Sequence, residues 1–164
     1  MRILGLDPGT STIGFGIIDY INNEYKLLDY GCIKTPPNMP LPERLKLIYE
    51  DLHSLVKTWK PETIAIEELF FSKNVKTAIQ VAQARGAIMQ QLSVGMHPIA
   101  EYKPQQVKEA VCGYGKAEKM RVQKMVQLIL EMDVLPVPDD AADALALAIC
   151  HANSLKMQAL YAQT

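Results

Sequence analysis

Ligands for zinc are scarce in this sequence of 164 residues. It has three cysteines and three histidines, without a CxxC pair and without two histidines at ligand spacing. Zinc is therefore disfavoured as a structural or catalytic metal. An odd number of widely spaced cysteines also argues against a disulfide framework, so Cys32, Cys112 and Cys150 are expected to be buried, reduced thiols of a cytosolic protein.

Long hydrophobic runs are missing as well. Asp7 interrupts the apolar run at the N-terminus, which argues against a secretory signal peptide, and no stretch approaches the length needed to span a bilayer. An apolar content of 49% indicates a globular protein, and the chain length favours a single core. We expect one domain over residues 1–154, followed by a short tail over residues 155–164 that frays.

Net charge is also small. The formal charge of −1 does not by itself indicate a nucleic-acid partner. The charges are unevenly distributed, however, because residues 72–125 hold nine Lys or Arg and only three Asp or Glu, whereas both flanking segments are acidic. This basic segment is typical of a phosphate-binding face, although a solvated charged surface accounts for the charge count equally well.

Apolar periodicity predicts a mixed α/β domain. Three N-terminal strands joined by short turns form an antiparallel meander, and a helix then leads to a fourth strand that is expected to lie parallel to the first. The predicted strands cover residues 3–6, 12–20, 25–33, 63–66 and, more weakly, 96–100. The predicted helices cover residues 41–59, 74–92, 104–111, 117–132 and 139–151.

Two features of these elements affect how they pack. Gly14 and Gly16 share one face of the second strand, and this allows a helix, another backbone or a ligand to approach closely. The helix over residues 74–92 is rich in small residues and is predicted to be the seam of a dimer. Its inner or partner-facing side is expected to carry Ala78, Val81, Ala82, Arg85 and Met89.

Acidic residues stand at the ends of several core elements. Asp7 follows the first strand and Glu67 follows the fourth, so both carboxylates leave the same edge of the sheet if these strands are neighbours. Asp140 and Asp143 are three residues apart near the start of the last helix and share one helical face. Simpler explanations exist: Asp7 as a turn residue, Glu67 as a strand-end charge, and Asp140 as a helix cap or first-turn acid at the helix dipole. Capping accounts less well for Asp143, because the residues that follow it indicate a largely buried helix.

Taken together, the four acids point to a hard divalent cation. Mg²⁺ binds oxygen ligands, often carboxylates with water and substrate phosphate. Two such ions about 4 Å apart activate water and stabilise the leaving oxygen in phosphodiester cleavage. The sequence therefore favours a site for a hard divalent cation such as Mg²⁺, and phosphodiester cleavage is one reaction that such a site can perform.

Five segments of the sequence, taken in order, resemble the RuvC family of Holliday junction resolvases. They are LGLDPGTSTIGFGIID, IEELFFSKN, AQARGA, GYGKAEK and PDDAADALALAICH, within residues 1–153. The resemblance implies a ribonuclease-H-like α/β fold, with a five-stranded mixed sheet and helices on both faces. It also implies a homodimeric, Mg²⁺-dependent crossover junction endodeoxyribonuclease of the bacterial cytoplasm. Such an enzyme makes two symmetric nicks in DNA recombination and repair, in company with a branch-migration motor complex.

The resemblance further implies residue roles. The metal-binding acids of the family fall on Asp7, Glu67, Asp140 and Asp143, which would hold two Mg²⁺ ions, with Mn²⁺ as a substitute. The family places no ligand at Glu68, and strand alternation turns this side chain away from Glu67. Asp139 precedes the family pattern and is interpreted as a helix cap.

DNA contacts are implied in the same way. The junction-contacting aromatic falls on Phe70, with Phe71 as the alternative ring for stacking. The lysines near the scissile phosphate fall on Lys108 and Lys119, and Lys119 is the predicted catalytic lysine. The full set of predicted DNA contacts is Phe70, Lys73, Lys76, Arg85, Lys108, Lys116, Lys119 and Arg121.

Three other functions stay open at this point. DPGTSTIGFG also resembles the first phosphate loop of actin-like and sugar-kinase-like nucleotide-binding proteins, but the chain has length for one lobe only and lacks GxxxxGK[ST]. A ribosomal-RNA-processing nuclease of the same fold lacks the junction-type segments IEELFF and GYGKAEK. A junction-binding protein without activity would not need the complete set of four acids.

Overall fold

A five-stranded mixed sheet forms the centre of the molecule. The computed structural model describes residues 1–9, 11–36, 38–68 and 75–162, with residues 75–77 described by their backbone only. The strands lie in the order β3-β2-β1-β4-β5. The meander β1–β2–β3 is antiparallel, and β4 and β5 run parallel to β1. The strands are β1 Arg2–Pro8, β2 Thr12–Ile21, β3 Glu24–Lys34, β4 Thr63–Glu67 and β5 Ile99–Tyr102.

Helices cover both faces of this sheet. On one face, α1 and α2 bury Ile48, Leu52 and Ile88 against strand residues that include Leu4 and Ile66. On the other face, α3, α4 and α5 pack against strand residues that include Ile3 and Ala65. The helices are α1 Leu41–Trp59, α2 Val75–Val94, α3 Pro104–Cys112, α4 Lys119–Ile129 and α5 Asp139–Tyr161. The predicted α/β class and the mixed sheet are confirmed.

Glycines allow α5 to lie directly on the sheet. A Cβ atom built on Gly5 would overlap the carbonyl oxygen of Ala144, and one built on Gly14 would overlap the carbonyl oxygen of Asp140. At Gly16 the conflict would be with the side chain and backbone nitrogen of Leu145. The close approach predicted from Gly14 and Gly16 is therefore confirmed, and its partner is the first half of α5.

The α5 segment that lies on the glycines is buried throughout. Every residue from 144 to 152 is buried, most of them alanines alternating with larger aliphatic residues. His151 is the polar member of this segment, and its two ring nitrogens contact the hydroxyls of Thr63 and Tyr102 at 2.8 and 2.7 Å. These contacts tie α5 to β4 and β5 as well as to the meander.

Some predicted boundaries of helices and strands are wrong. The fifth strand begins at Ile99 instead of residue 96, because Met96 has a positive φ of 52° and Pro98 cannot donate to a ladder. α4 begins after the N-cap Glu118 and ends before Glu131, whose φ of 51° is left-handed. α5 continues to Tyr161, beyond its predicted end at residue 151, because residues 155–161 are good helix formers.

The core side of α2 carries Ala84, Ile88, Gln91 and Leu92, which are buried. Among the residues predicted for its inner or partner-facing side, Ala82 is exposed and Val81 is partly exposed, so these two do not belong to the core side and stay candidates for a partner-facing side. The predicted N-cap, Asn74, lies outside the described residues. Within the described parts of the chain, no helix combines the length and apolar character that a membrane span requires.

Candidate active site

Asp7 and Glu67 meet at one end of the sheet. β1 and β4 are parallel neighbours, with Leu6 paired to Ile66, so the next residue of each strand lies at the same edge. Side chains alternate along a strand. Leu6 and Ile66 point toward α1 and α2, and Asp7 and Glu67 therefore point toward α5. The pairing of β1 with β4 confirms the predicted meeting of the two acids, and their carboxyl groups are close enough to raise the pKa of Asp7.

The start of α5 brings two more acids to this point. In the sheet, Asp7 pairs with Gly14, and Gly14 is where the α5 backbone touches β2 through Asp140. Asp140 and Asp143 both interact electrostatically with the Asp7 carboxyl group. The N-cap of α5 is Pro138, so neither Asp139 nor Asp140 is the N-cap residue, but both lie in the first turn, where an acid meets the helix dipole as the simpler explanation expects.

Burial and mutual repulsion make this group of carboxylates costly to ionise. Burial raises the pKa of Asp7 to about 8, and the neighbouring charges of Glu67, Asp143 and Asp140 add to the effect. Burial, followed by the charge of Asp143, also raises the pKa of Glu67. Burial raises the pKa of Asp143 as well, against the opposing attraction of Lys119. Such a cluster favours either retained protons or a cation that neutralises it.

Lys119 supplies positive charge at the rim of the site. Its ammonium lies 2.8 Å from Asp139 Oδ2 and 3.2 Å from Asp143 Oδ2. Burial opposes the charge of this lysine, but the hydrogen bond to Asp139 and the attraction of Asp143 outweigh it and raise the lysine pKa. A cavity of about 200 Å³ beside it is lined by Glu67, Pro104, Val107, Lys108, Lys119, Val122, Asp143 and Leu147.

This cavity joins the acids to both predicted active-site lysines. Lys108 comes from α3 and Lys119 from the start of α4, and the two face Glu67 and Asp143 across the opening. Asp140 is not among the lining residues. The site thus has an acidic inner wall and a basic rim, an arrangement that accepts a phosphate group next to carboxylates.

The other predicted DNA contacts have different surroundings. Arg85 forms an ion pair with Glu101 at 2.5 Å, with only 15% of its side chain exposed, so it connects α2 to β5. Lys116 and Arg121 are exposed near the start of α4. Phe70, Phe71 and Lys73 lie outside the described residues, as does the side chain of Lys76.

Sequence reasoning missed the ion pair of Asp139. Asp139 and Asp143 are four residues apart on α5, so they lie on the same helical face, and both contact Lys119. The i,i+4 spacing was visible in the sequence, but the lysine partner comes from another helix. Only the packing of α4 on α5 reveals this pair.

The acids supply the oxygen ligands that a hard cation prefers, but in the described residues their side chains do not surround a single position. Among the described residues, no three His, Cys, Asp or Glu side chains stand in an arrangement that encloses a metal ion. The contacts among these side chains explain the arrangement: the Asp7 carboxyl group interacts with that of Glu67, and the Lys119 ammonium forms an ion pair with Asp143. The donor set still fits Mg²⁺, since it consists of carboxylate oxygens, and burial together with neighbouring acids raises the pKa of Asp7, Glu67 and Asp143.

Comparison with known proteins agrees with this picture. The family model described as crossover junction endodeoxyribonuclease RuvC matches residues 3–151. A protein of that name from Desulforamulus reducens is 51% identical over 153 residues, which is 93% of this chain and 94% of the relative. The Thermus thermophilus RuvC structure has a TM-score of 0.89 at 34% identity and covers 96% of this chain and 97% of that one. A structure of T. thermophilus RuvC in complex with Holliday junction substrate has a TM-score of 0.88 at 32% identity, covering 96% of each chain.

Proposed function

This chain belongs to the RuvC family of crossover junction endodeoxyribonucleases, and we propose that it resolves four-way DNA junctions by two symmetric nicks. The observation that carries the proposal is the set of acids at one sheet end, of which Glu67 and Asp143 line a cavity together with Lys108 and Lys119. The structural relative bound to a Holliday junction substrate supports the choice of DNA. Family membership also argues against the nucleotide-binding and ribosomal-RNA-processing alternatives.

The acids are the proposed holders of the metal. Asp7, Glu67, Asp140 and Asp143 would bind Mg²⁺, with two ions per site and with Mn²⁺ as a substitute. When bound, such ions activate water and stabilise the leaving oxygen of the phosphodiester. The raised pKa of Asp7 has a direct consequence, because its proton must leave before both Asp7 and Glu67 become anionic ligands. Metal binding and proton release are therefore coupled.

The lysines act on the phosphate. Lys119 and Lys108 present ammonium groups beside Glu67 and Asp143, where a scissile phosphate next to the carboxylates would lie. A compact ammonium favours the extra negative charge that develops on phosphate oxygens in the transition state. Lys116, which precedes α4, and Arg121, in its first turn, are exposed and would add positive charge for the DNA backbone. Phe70 is proposed to stack at the junction centre.

Two symmetric nicks require two active sites, which supports a homodimer. The proposed seam is α2, where Ala82 and Gly86 are exposed and would let a partner helix approach closely. A branch-migration motor complex is the proposed further partner, and the bacterial cytoplasm is the proposed location, as the family resemblance implies.

The experiment compares cleavage of a synthetic four-way junction with cleavage of a linear duplex of the same sequence. We expect cutting of the junction in Mg²⁺, no cutting in excess chelator, and little cutting of the duplex. Equal rates on junction and duplex would contradict the junction-specific function. Cutting in chelator would contradict the role of the metal.

A further inference from the structure

Lys119 is held by two carboxylates that differ in their surroundings. Asp143 lies inside the cavity, is two-thirds covered, and belongs to the proposed metal ligands. Asp139 lies outside the cavity lining, with 52% of its side chain exposed, yet it makes the shorter contact, at 2.8 Å against 3.2 Å. The ammonium thus has one anchor inside the metal site and one anchor at its rim.

The two carboxylates that anchor Lys119 differ in whether a bound metal ion would also use them as ligands. A carboxylate oxygen that ligates a cation gives up most of its attraction for a neighbouring ammonium. If Asp143 were the only anchor, Lys119 would either occupy Asp143 and hinder metal binding or be released into solvent once the metal bound. Asp139 stands one helical turn before Asp143 on the same face of α5 and retains the ammonium without using a proposed metal ligand.

We propose that Asp139 is a positioning residue for Lys119. It holds the ammonium at the rim of the cavity while Asp143 binds metal, so that Lys119 reaches the phosphate and does not compete for Asp143. This inference rests on the proposed function for its catalytic consequence, but not for its effect on metal affinity. Asp139 touches neither the phosphate nor the metal in this scheme and acts only through Lys119.

An ordinary surface ion pair is the alternative explanation. Exposed pairs contribute little to stability, so loss of Asp139 would then have no specific effect. Removal of a negative charge near the site would also weaken cation binding through the general field, whether or not Lys119 is present. The two explanations are separated by asking whether the effect of Asp139 requires Lys119.

The experiment measures Mn²⁺ affinity by electron paramagnetic resonance without DNA, and the single-turnover rate on saturating four-way junction in Mg²⁺. Asp139→Asn is compared with the wild type and, as a second pair, Lys119→Gln/Asp139→Asn is compared with Lys119→Gln. Asp139→Glu tests rescue by a retained charge. The control is Asp133→Asn, which removes an exposed carboxylate in the turn that follows α4.

We expect Asp139→Asn to lower both the saturated rate and the Mn²⁺ affinity by about tenfold, as loss of an outer-shell partner does, and Asp139→Glu to restore most of both. With Lys119→Gln already present, Asp139→Asn should change neither quantity. An equal loss of affinity in both backgrounds, or no loss in either, would overturn the positioning role. Failure of the wild type to cut junctions would instead overturn the proposed function, and the Mn²⁺ titration would still decide on Asp139.

Discussion

At the scale of single residues, Asp7 shows the cost of assembling this site. A carboxyl group with an ordinary pKa of 3.8 is held beside three other acids in a largely buried position, and its pKa rises to about 8. The folded protein therefore binds this proton more tightly than the unfolded chain does. The contribution of Asp7 to stability is most favourable at low pH and is lost as the pH rises from about 4 to about 8.

Replacing Asp7 by an isosteric neutral residue should therefore stabilise the metal-free protein. We expect Asp7→Asn to raise the free energy of unfolding by about 1–3 kcal/mol at pH 8, with a smaller gain at pH 5, where the native Asp7 is protonated. The measurement is chemical denaturation in chelator at both pH values. A gain that is equal at the two pH values, or a loss at pH 8, would show that Asp7 is not held under electrostatic strain.

Lys119 offers a second prediction at this scale. If its ammonium acts on the transition state, Lys119→Ala should lower the single-turnover rate on saturating junction by roughly a hundredfold, while junction affinity falls only modestly. If the lysine only attracts phosphate, the saturated rate should be unchanged and the salt dependence of binding should become shallower by about one counterion. Lys124→Ala, which removes an exposed lysine of the same helix, is the control.

At the scale of elements, the packing of α5 on glycines determines where Asp140 and Asp143 stand. Gly14→Ala should push α5 away from β2, because the new Cβ would overlap the Asp140 carbonyl oxygen. We expect a loss of about 1–3 kcal/mol in stability, as overpacking causes, together with loss of cleavage. Thermal unfolding and a junction cleavage assay measure the two effects.

Gly86→Ala is the matched control for this prediction. A Cβ at Gly86, in the middle of α2, meets no described atom within 4 Å. The substitution should stabilise the helix by about 0.5–1 kcal/mol, and because Gly86 lies in the proposed seam, only thermal unfolding, not cleavage, is compared between the two glycines. Equal tolerance of alanine at the two glycines would contradict the close packing of α5 on the sheet.

The strands and helices also show which parts of the fold can be predicted from the sequence alone. The apolar runs before Asp7 and Glu67 predicted both strands and their shared edge, because a parallel crossover brings equivalent strand ends together. The start of β5 and the end of α4 depend on the left-handed backbone at Met96 and Glu131, which composition does not specify. The pairs Lys119–Asp139 and Arg85–Glu101 join distant segments, so only the packed fold reveals them.

At the scale of the whole molecule, two symmetric nicks require a second copy of the chain. If the exposed face of α2 is the seam, Ala82→Glu should place a charge in the interface and shift the protein toward the monomer. Sedimentation at micromolar concentration measures the shift, and Ala159→Glu, at the exposed far end of α5, is the control. A monomeric wild type in the presence of junction would contradict the proposed dimer.

The whole account depends on which carboxylates at the sheet end form the active site, and two adjacent glutamates provide the most direct test. Glu67 is the last residue of β4, and strand alternation points it toward α5 and the other acids, whereas the same alternation, if continued, predicts that Glu68 points away from them. The measurement is the rate of four-way junction cleavage in Mg²⁺ by Glu67→Gln and Glu68→Gln, with junction binding measured in parallel. We predict that Glu67→Gln binds but does not cut, and that Glu68→Gln cuts at nearly the wild-type rate. Cleavage by Glu67→Gln, or loss of cleavage in Glu68→Gln with binding intact, would contradict the account.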